Sequence, residues 1–341
     1  MTDTFESIVQ RYVHPTMDMT INIGSCSFRL LSNVDNFVAQ KYFSPHTQKK
    51  YVNDDVDYEL YCISLKRCGL SRNKLIKFND KSCRGSQFAQ GYYVTDHFGE
   101  PVYLVSRGSS YFVFGEELER VVWPYFVKYF LLLYSIKNKS LFLKAAAFSI
   151  NSQATLLLGR GGSGKTVFLS NLCLNGANFI SNSHAIIKNQ YVHGVASAMR
   201  IRLDSWCKEL FDSNKTSPGI KQGEIIVDPY SVFKANMRKS SIVKNICILN
   251  YKGPNIHKIK KISHQEAYNY AEQFSLAINV YRLEEDLLDF HKGDISLFSK
   301  NYKIMKEKLF SLVEGSNCYY ICSDVLNPMY RDEIFALLAG N

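Results

Sequence analysis

A chain of 341 residues with 46% apolar residues, 22 Tyr and 22 Phe is long enough to bury two cores, which excludes a disordered or fibrous protein. Its 41 Lys and Arg against 31 Asp and Glu leave a net charge of +10, which suits nucleotide phosphates, nucleic acid or an acidic peptide or protein without choosing among them. Nine cysteines with no CxxC argue against a disulfide framework or a structural zinc site, and for buried thiols in a reducing cytoplasm.

The first residues, MTDTFESIVQ, lack the basic-then-apolar layout of a signal peptide. The most apolar run, residues 121–134, is broken by Pro124 and Lys128 and falls short of the roughly 20 residues a bilayer demands. A cytoplasmic protein with no membrane partner is expected.

In chain order, residues 19–31 and 102–114 predict β segments with turns between them. The stretch from about 33 to 100 is polar and mixed, and within it KRCGLSRNK and NDKSCRGSQ predict loops. Residues 116–137 predict a helix opened by Glu116, Glu117 and Glu119, with Pro124 as a kink or as its true start. A second pattern begins near Leu141, where LFLKAAAFSI and ATLLLG predict two strands joined at residues 151–153. VFLSNLCLNG then predicts a helix stopped by Gly176, followed by a strand at ANFIS and another at SIVKNICILN. Ser263 with Glu266 has capping-box spacing for a later helix. YYIC is a last buried strand before a terminal helix at residues 327–338. Strands alternating with helices predict an α/β domain. The expected layout is a small β-rich domain over 1–115, a linker helix over 116–139 and an α/β domain over 140–341.

The chemistry lies in Gly159-Arg160-Gly161-Gly162-Ser163-Gly164-Lys165-Thr166, a phosphate-binding loop pattern between an apolar strand and an apolar-periodic helix. Glycines let backbone N–H groups turn toward phosphate oxygens at the positive end of a helix. Lys165 is placed to reach the β- and γ-phosphates of a nucleoside triphosphate such as ATP, and the Thr166 hydroxyl to ligate Mg²⁺.

From this loop onward the sequence resembles HPr kinase and the wider group of HPr-kinase-like phosphotransferases, which share a nucleotide-binding core with phosphoenolpyruvate carboxykinase. The matching features are the loop and its helix, Gly176 ending that helix, and a strand reaching a polar cluster sixteen residues after Thr166. Residues 243–250 and 262–270 resemble the family's later strand and helix. The resemblance covers roughly 140–341 and implies a mixed sheet with flanking helices around the loop. It departs at the site: the family's Asp pair is replaced by Asn182 and Ser183, followed by His184, and the family's His on the strand before the loop by Lys144.

Asn182 can offer Mg²⁺ a carbonyl oxygen, and His184 can take the acceptor's proton near neutral pH. Arg200 and Arg202 share a strand face, and either fills the place of the family's phosphate-contacting arginine, with Arg202 favoured. Asp204 and Asp228 stand behind them as alternative carboxylates. Lys258, Lys260 and Lys261 read as protection of an edge strand, and no stretch interleaves aromatic and basic residues as an RNA-binding platform would. The expected function is an ATP- and Mg²⁺-dependent phosphotransferase, acting on a peptide, a protein or a small molecule, with peptide natural-product tailoring among the contexts. A non-catalytic nucleotide-binding regulator, and an ATP-driven enzyme with other activation chemistry, remain as alternatives. An acidic peptide or protein acceptor and a homo-oligomeric state complete the expectation, with nucleic acid disfavoured.

Overall fold

The computed structural model describes residues 4–23, 25–34, 47–48, 55–78, 87–88, 93–94, 102–116, 118, 122–195, 197–202, 216–218 and 223–340. The chain divides into two units, one of residues 1–134 with 281–290, the other of residues 135–280 with 291–341.

The first unit is built on a mixed sheet. Its strands are β1 (Met17–Ile23), β2 (Cys26–Ser32), β3 (Thr47–Gln48), β4 (Tyr58–Ser64), β7 (Tyr103–Arg107) and β8 (Ser110–Gly115), in the order β3-β1-β2-β4-β8-β7. Two further short strands, β5 (Gln87–Phe88) and β6 (Tyr93–Val94), pair with each other. The period of two along each strand separates its faces. Phe112 and Phe114 of β8 face helix α1 (Phe5–Tyr12), where Phe5 meets them edge-on, while Tyr111 joins Tyr58 and Phe130 in a second aromatic group.

Two sequence expectations change here. Strand β4 lies in the interior of the sheet, inside the polar, mixed stretch for which no strand was expected. The polar average over 33–100 hides its short alternating run, in which the outward Glu59 pairs with Arg29 of β2 at 3.8 Å. The expected 116–137 helix instead starts with a π-helical turn over Val122–Phe126 that contains Pro124, and becomes the α-helix α2 (Val127–Lys137) after it. Proline donates no backbone hydrogen bond and crowds the preceding turn, so regular α-helix begins beyond it. Val127 and residues Tyr129 through Leu133 of α2 are all buried.

The second unit carries the α/β organisation. Its main sheet contains β9 (Leu141–Leu143), β10 (Ala146–Ile150), β11 (Gln153–Leu158), β12 (Asn178–Ser181), β13 (His184–Lys188), β14 (Tyr191–Val195) and β18 (Ser240–Leu249), in the order β12-β10-β11-β18-β14-β13-β9. Strand β20 (Asn317–Ser323) pairs in parallel with β18 and antiparallel with β19 (His257–Lys261). A separate small sheet is ordered β15 (Met199–Arg202), β17 (Glu224–Val227), β16 (Thr216–Pro218). The helices are α3 (Lys165–Leu174), α4 (His264–Phe274), α5 (Ile295–Glu314) and α6 (Pro328–Ala339).

The local signals account for these elements. Asn151 and Ser152 take positive φ and turn β10 into β11. Ser263 and Glu266 form the capping box of α4, and Asn327 caps α6 with Pro328 in its first turn. The core between sheet and helices holds Leu157 and Leu249 from the strands, Phe168 and Leu172 from α3, and Ile334 and Leu338 from α6. Strand β19 carries Lys258, Lys260 and Lys261 on exposed positions and pairs with β20 alone, as an edge strand guarded by charge does. The described cysteines form no disulfide with one another, and burial pushes the Cys318 thiol up to about 11. No described helix is long and apolar enough to cross a membrane.

Candidate functional site

Strands β11, β18 and β20 run parallel, so their carboxyl ends lie along one edge of the sheet. Open α/β sheets bind ligands at that edge. Here the chain leaves β11 through residues 159–164 and enters α3 at Lys165. Gly164 caps α3 with φ 86°, and a Cβ added there would come 2.9 Å from the Tyr251 Cβ. The position therefore demands glycine on both conformational and steric grounds. The Tyr251 N–H donates to the Ser163 carbonyl at 3.2 Å and ties the loop to the end of β18.

Lys165 folds back over the loop that precedes it. Its ammonium donates to the carbonyls of Gly159 at 2.5 Å and Arg160 at 2.8 Å, and to the Ser163 hydroxyl at 3.3 Å. Burial, with Lys144 adding repulsion, pushes its pKa down to about 8. The first N–H groups of α3 have no partner within the helix, and they lie beside this ammonium at the positive helix end. A polyanion fits this arrangement: it supplies the countercharge that the ammonium draws only from carbonyl dipoles in the ligand-free chain. Thr166 is half-buried in the first turn of α3.

Arg160 is exposed, as are Gly161 and Gly162 after it, and its guanidinium lies 6.0 Å from the centre of the Phe274 ring. Burial raises the pKa of Tyr270 on α4, and nearby Arg160 offsets part of that rise, so α4 lies against the loop. On another side, Ser163, Gly164, Val167 and Phe168 line a shallow cleft open to solvent, with Leu249, Tyr251, Ser323 and Val325. Ser323 is hydrogen-bonded to Nδ1 of His257 at 2.8 Å, and Nε2 of that ring meets Glu333 at 3.1 Å. Sequence reading passed over Tyr251, Ser323 and Asp324. The available signal was position alone, since each follows or ends a strand that the apolar patterning had located.

The residues expected to finish the site form a different kind of corner. Asn182 follows β12, and its Oδ1 accepts from the Ser197 N–H at 3.4 Å and the Ser197 hydroxyl at 3.0 Å. Its Nδ2 donates to the Ala198 carbonyl at 3.4 Å. A cation at that oxygen would compete with both Ser197 contacts. His184 opens β13 rather than a loop; it is 3% exposed, stacks on Phe142 and pairs through Nδ1 with the Ser183 hydroxyl at 2.8 Å. Arg200 and Arg202 share the exposed face of β15, while Met199 and Ile201 of the same strand join Phe168 in the core. Asp228 caps a short helix by accepting from the Tyr230 N–H at 2.9 Å, and burial raises its pKa. Asp204 lies outside the described residues. Among the described residues no group of three His, Cys, Asp or Glu is gathered as a metal site.

No protein-family model and no curated protein matches this chain. Among solved structures it is similar to the Hpr(Ser) kinase/phosphatase from Coxiella burnetii, with 14% identity and a TM-score of 0.22, over 36% of this chain and 77% of that one.

Proposed function

We propose that the chain is a nucleoside-triphosphate-dependent phosphotransferase of the HPr-kinase-like type, with ATP and Mg²⁺ as cofactors and a peptide, protein or small molecule as acceptor. One observation carries the reading. Lys165 is half-buried in a glycine-rich loop at the carboxyl edge of parallel strands, with its ammonium held against loop carbonyls and its pKa pushed down to about 8. Charged ammonium groups are costly to bury without a countercharge, and a bound polyphosphate provides one.

In this reading the α3 N-terminus and Lys165 hold the phosphates, and Thr166 with Asn182 holds Mg²⁺. Asn182 must then share or release its Ser197 contacts. The metal, when bound, neutralises charge on the transferring phosphoryl group. His184 accepts the acceptor's proton or, because transfer relies chiefly on positioning and charge, the step proceeds with no strong base. Arg202 or Arg200 steadies the outermost phosphate.

A second reading, a nucleotide-binding regulator without transfer, draws support from the same corner. Asn182 is engaged with Ser197 and Ala198, and His184 is packed against Phe142. The test is ³¹P NMR of Mg·ATP with the protein and a panel of acidic peptides, phosphate-carrier proteins and small hydroxyl compounds. Phosphotransfer to one of them upholds the first reading. ATP bound but unchanged with every acceptor upholds the second.

A further inference from the structure

The sheet edge that carries the loop also carries a constellation that the nucleotide reading does not use. Ser323 ends β20, and His257 opens β19. The Asp324 N–H donates to the Ile256 carbonyl and the Ile262 N–H to the Cys318 carbonyl, both at 2.9 Å. Those bonds mark the hydrogen-bonded pairs of the β19–β20 ladder. They leave His257 opposite Ser323 in a non-hydrogen-bonded pair, where side chains stand closest. Tyr330 and Glu333, three residues apart on α6, meet the same ring. Tyr330 stacks on it at 4.3 Å, and Glu333 reaches its Nε2 at 3.1 Å.

These partners fix the proton. A carboxylate only accepts, so Nε2 of the neutral ring carries the hydrogen and donates it to Glu333. Nδ1 is then bare and accepts from the Ser323 hydroxyl at 2.8 Å. Nucleophile, base and orienting carboxylate follow one another as serine activation requires, and strands and a helix hold all three. Ser323 is 6% exposed, yet it lines the shallow open cleft that Ser163 and Gly164 of the loop also line. Strand β20 stands two strands from β11, about 10 Å at the spacing of paired strands. Loop and serine belong to one unit.

We infer that Ser323 is a phosphoryl acceptor of the chain's own, phosphorylated from a nucleoside triphosphate held at the loop, with His257 as base and Glu333 as its positioning residue. This rests on the nucleotide reading of the loop and names one acceptor for it, a serine hydroxyl. The Ser323 Oγ bonds to the γ-phosphorus as the bond from that phosphorus to the β–γ bridging oxygen breaks. The hydroxyl proton passes to Nδ1 of His257, whose imidazolium stays paired with Glu333, and a nucleoside diphosphate leaves. Such a transfer depends chiefly on positioning, which the strand register and α6 supply for the serine and its base.

The test is incubation of the full chain with Mg·ATP, read by intact-mass spectrometry and phosphopeptide mapping, with calorimetry of Mg·ATP binding to wild type and a thermal melt of each variant. Wild type is expected to gain one phosphoryl group, at Ser323, at a rate per chain that dilution leaves unchanged. Ser323→Ala should gain none while still melting cooperatively. His257→Gln should slow the gain by about 10²–10⁴-fold, the range of a general base. Glu333→Gln keeps an acceptor at Nε2 without its charge and should slow the gain by about tenfold at an unchanged melting temperature. If the ring and carboxylate only brace β19 against α6, both variants will melt lower and keep the wild-type rate per folded chain, which overturns their roles. Wild type that binds Mg·ATP yet gains no phosphate at Ser323, or gains it in proportion to chain concentration, overturns the inference while the nucleotide reading stands. Wild type that binds no Mg·ATP at millimolar concentration overturns both.

Discussion

The phosphate-type loop and the β12–β13 corner lie in one unit and differ in how their polar groups are satisfied. At the loop, a half-buried cation leans on carbonyl dipoles, a helix presents its N-terminus, and a second lysine adds repulsion. At the corner, several polar side chains bond to neighbouring strand ends. Asn182 is bonded to Ser197 and Ala198, and the Ser181 hydroxyl donates to the carbonyls of His184 and Val195. The backbones there are so close that a Cβ on Gly194 would lie 1.9 Å from the Ile180 oxygen. The first region holds a half-buried cation against carbonyl dipoles; the second spends polar groups on holding strands together. On the proposed reading, binding belongs to the loop and the corner serves the fold.

Substitutions can break this contrast in order of expected size. Gly194→Ala forces β14 away from the end of β12 and should cost about 3 kcal/mol or more in urea unfolding, at the upper end of overpacking effects. A loss under about 1 kcal/mol would mean that the corner is looser than its geometry.

Next comes the pH dependence of Lys165. Its folded pKa of about 8 lies below the ordinary 10.5, so below pH 8 both folded and unfolded chains hold the proton and the cost of burying the ammonium is full. Between about 8 and 10.5 the folded chain has released it while the unfolded chain has not, so this contribution to stability rises with pH. The rise should total about 2–3 kcal/mol and be absent in Lys165→Met. Comparing denaturant midpoints of the two proteins from pH 7.5 to 10.5 subtracts the tyrosines and cysteines common to both. A parallel pair of curves would remove the buried-ammonium account.

His184→Ala removes a buried ring stacked on Phe142 and should cost about 1–3 kcal/mol, with nucleotide affinity changed less than about twofold. Loss of affinity at unchanged melting temperature would move His184 into the binding site. Asn182→Ala is expected to be milder for stability, at about 1 kcal/mol, and, with a proposed metal ligand removed, to weaken Mg·ADP binding. A clear drop in Mg²⁺-dependent affinity would show that Asn182 turns to the metal when nucleotide binds.

The contrast also explains what the sequence made legible. The loop could be read because glycine spacing, an entering strand and a leaving helix are contiguous along the chain, and the capping pairs Ser263–Glu266 and Asn327–Pro328 are local too. The corner could not be read, because Asn182 meets Ser197 fifteen residues on, through a hairpin that polar His184, Asn189, Gln190 and His193 disguise. Asn189 and Gln190 take the positive φ that turns β13 into β14, yet without glycine they gave no turn signal. Strand β4 was lost for a related reason: seven alternating residues vanish in a polar average and emerge only once β2 and β8 flank them.

The central claim is that the loop binds polyphosphate through Lys165, and titration calorimetry of Mg·ATP into wild type and Lys165→Ala near pH 8, in buffers of different ionisation enthalpy, tests it most directly. Wild type should bind with net proton uptake, because the incoming phosphates raise a lysine that is otherwise half-titrated at that pH. Lys165→Ala should bind about 10–100-fold more weakly and lose the uptake. Wild-type and variant titrations that coincide, in affinity and in buffer dependence, would contradict the account.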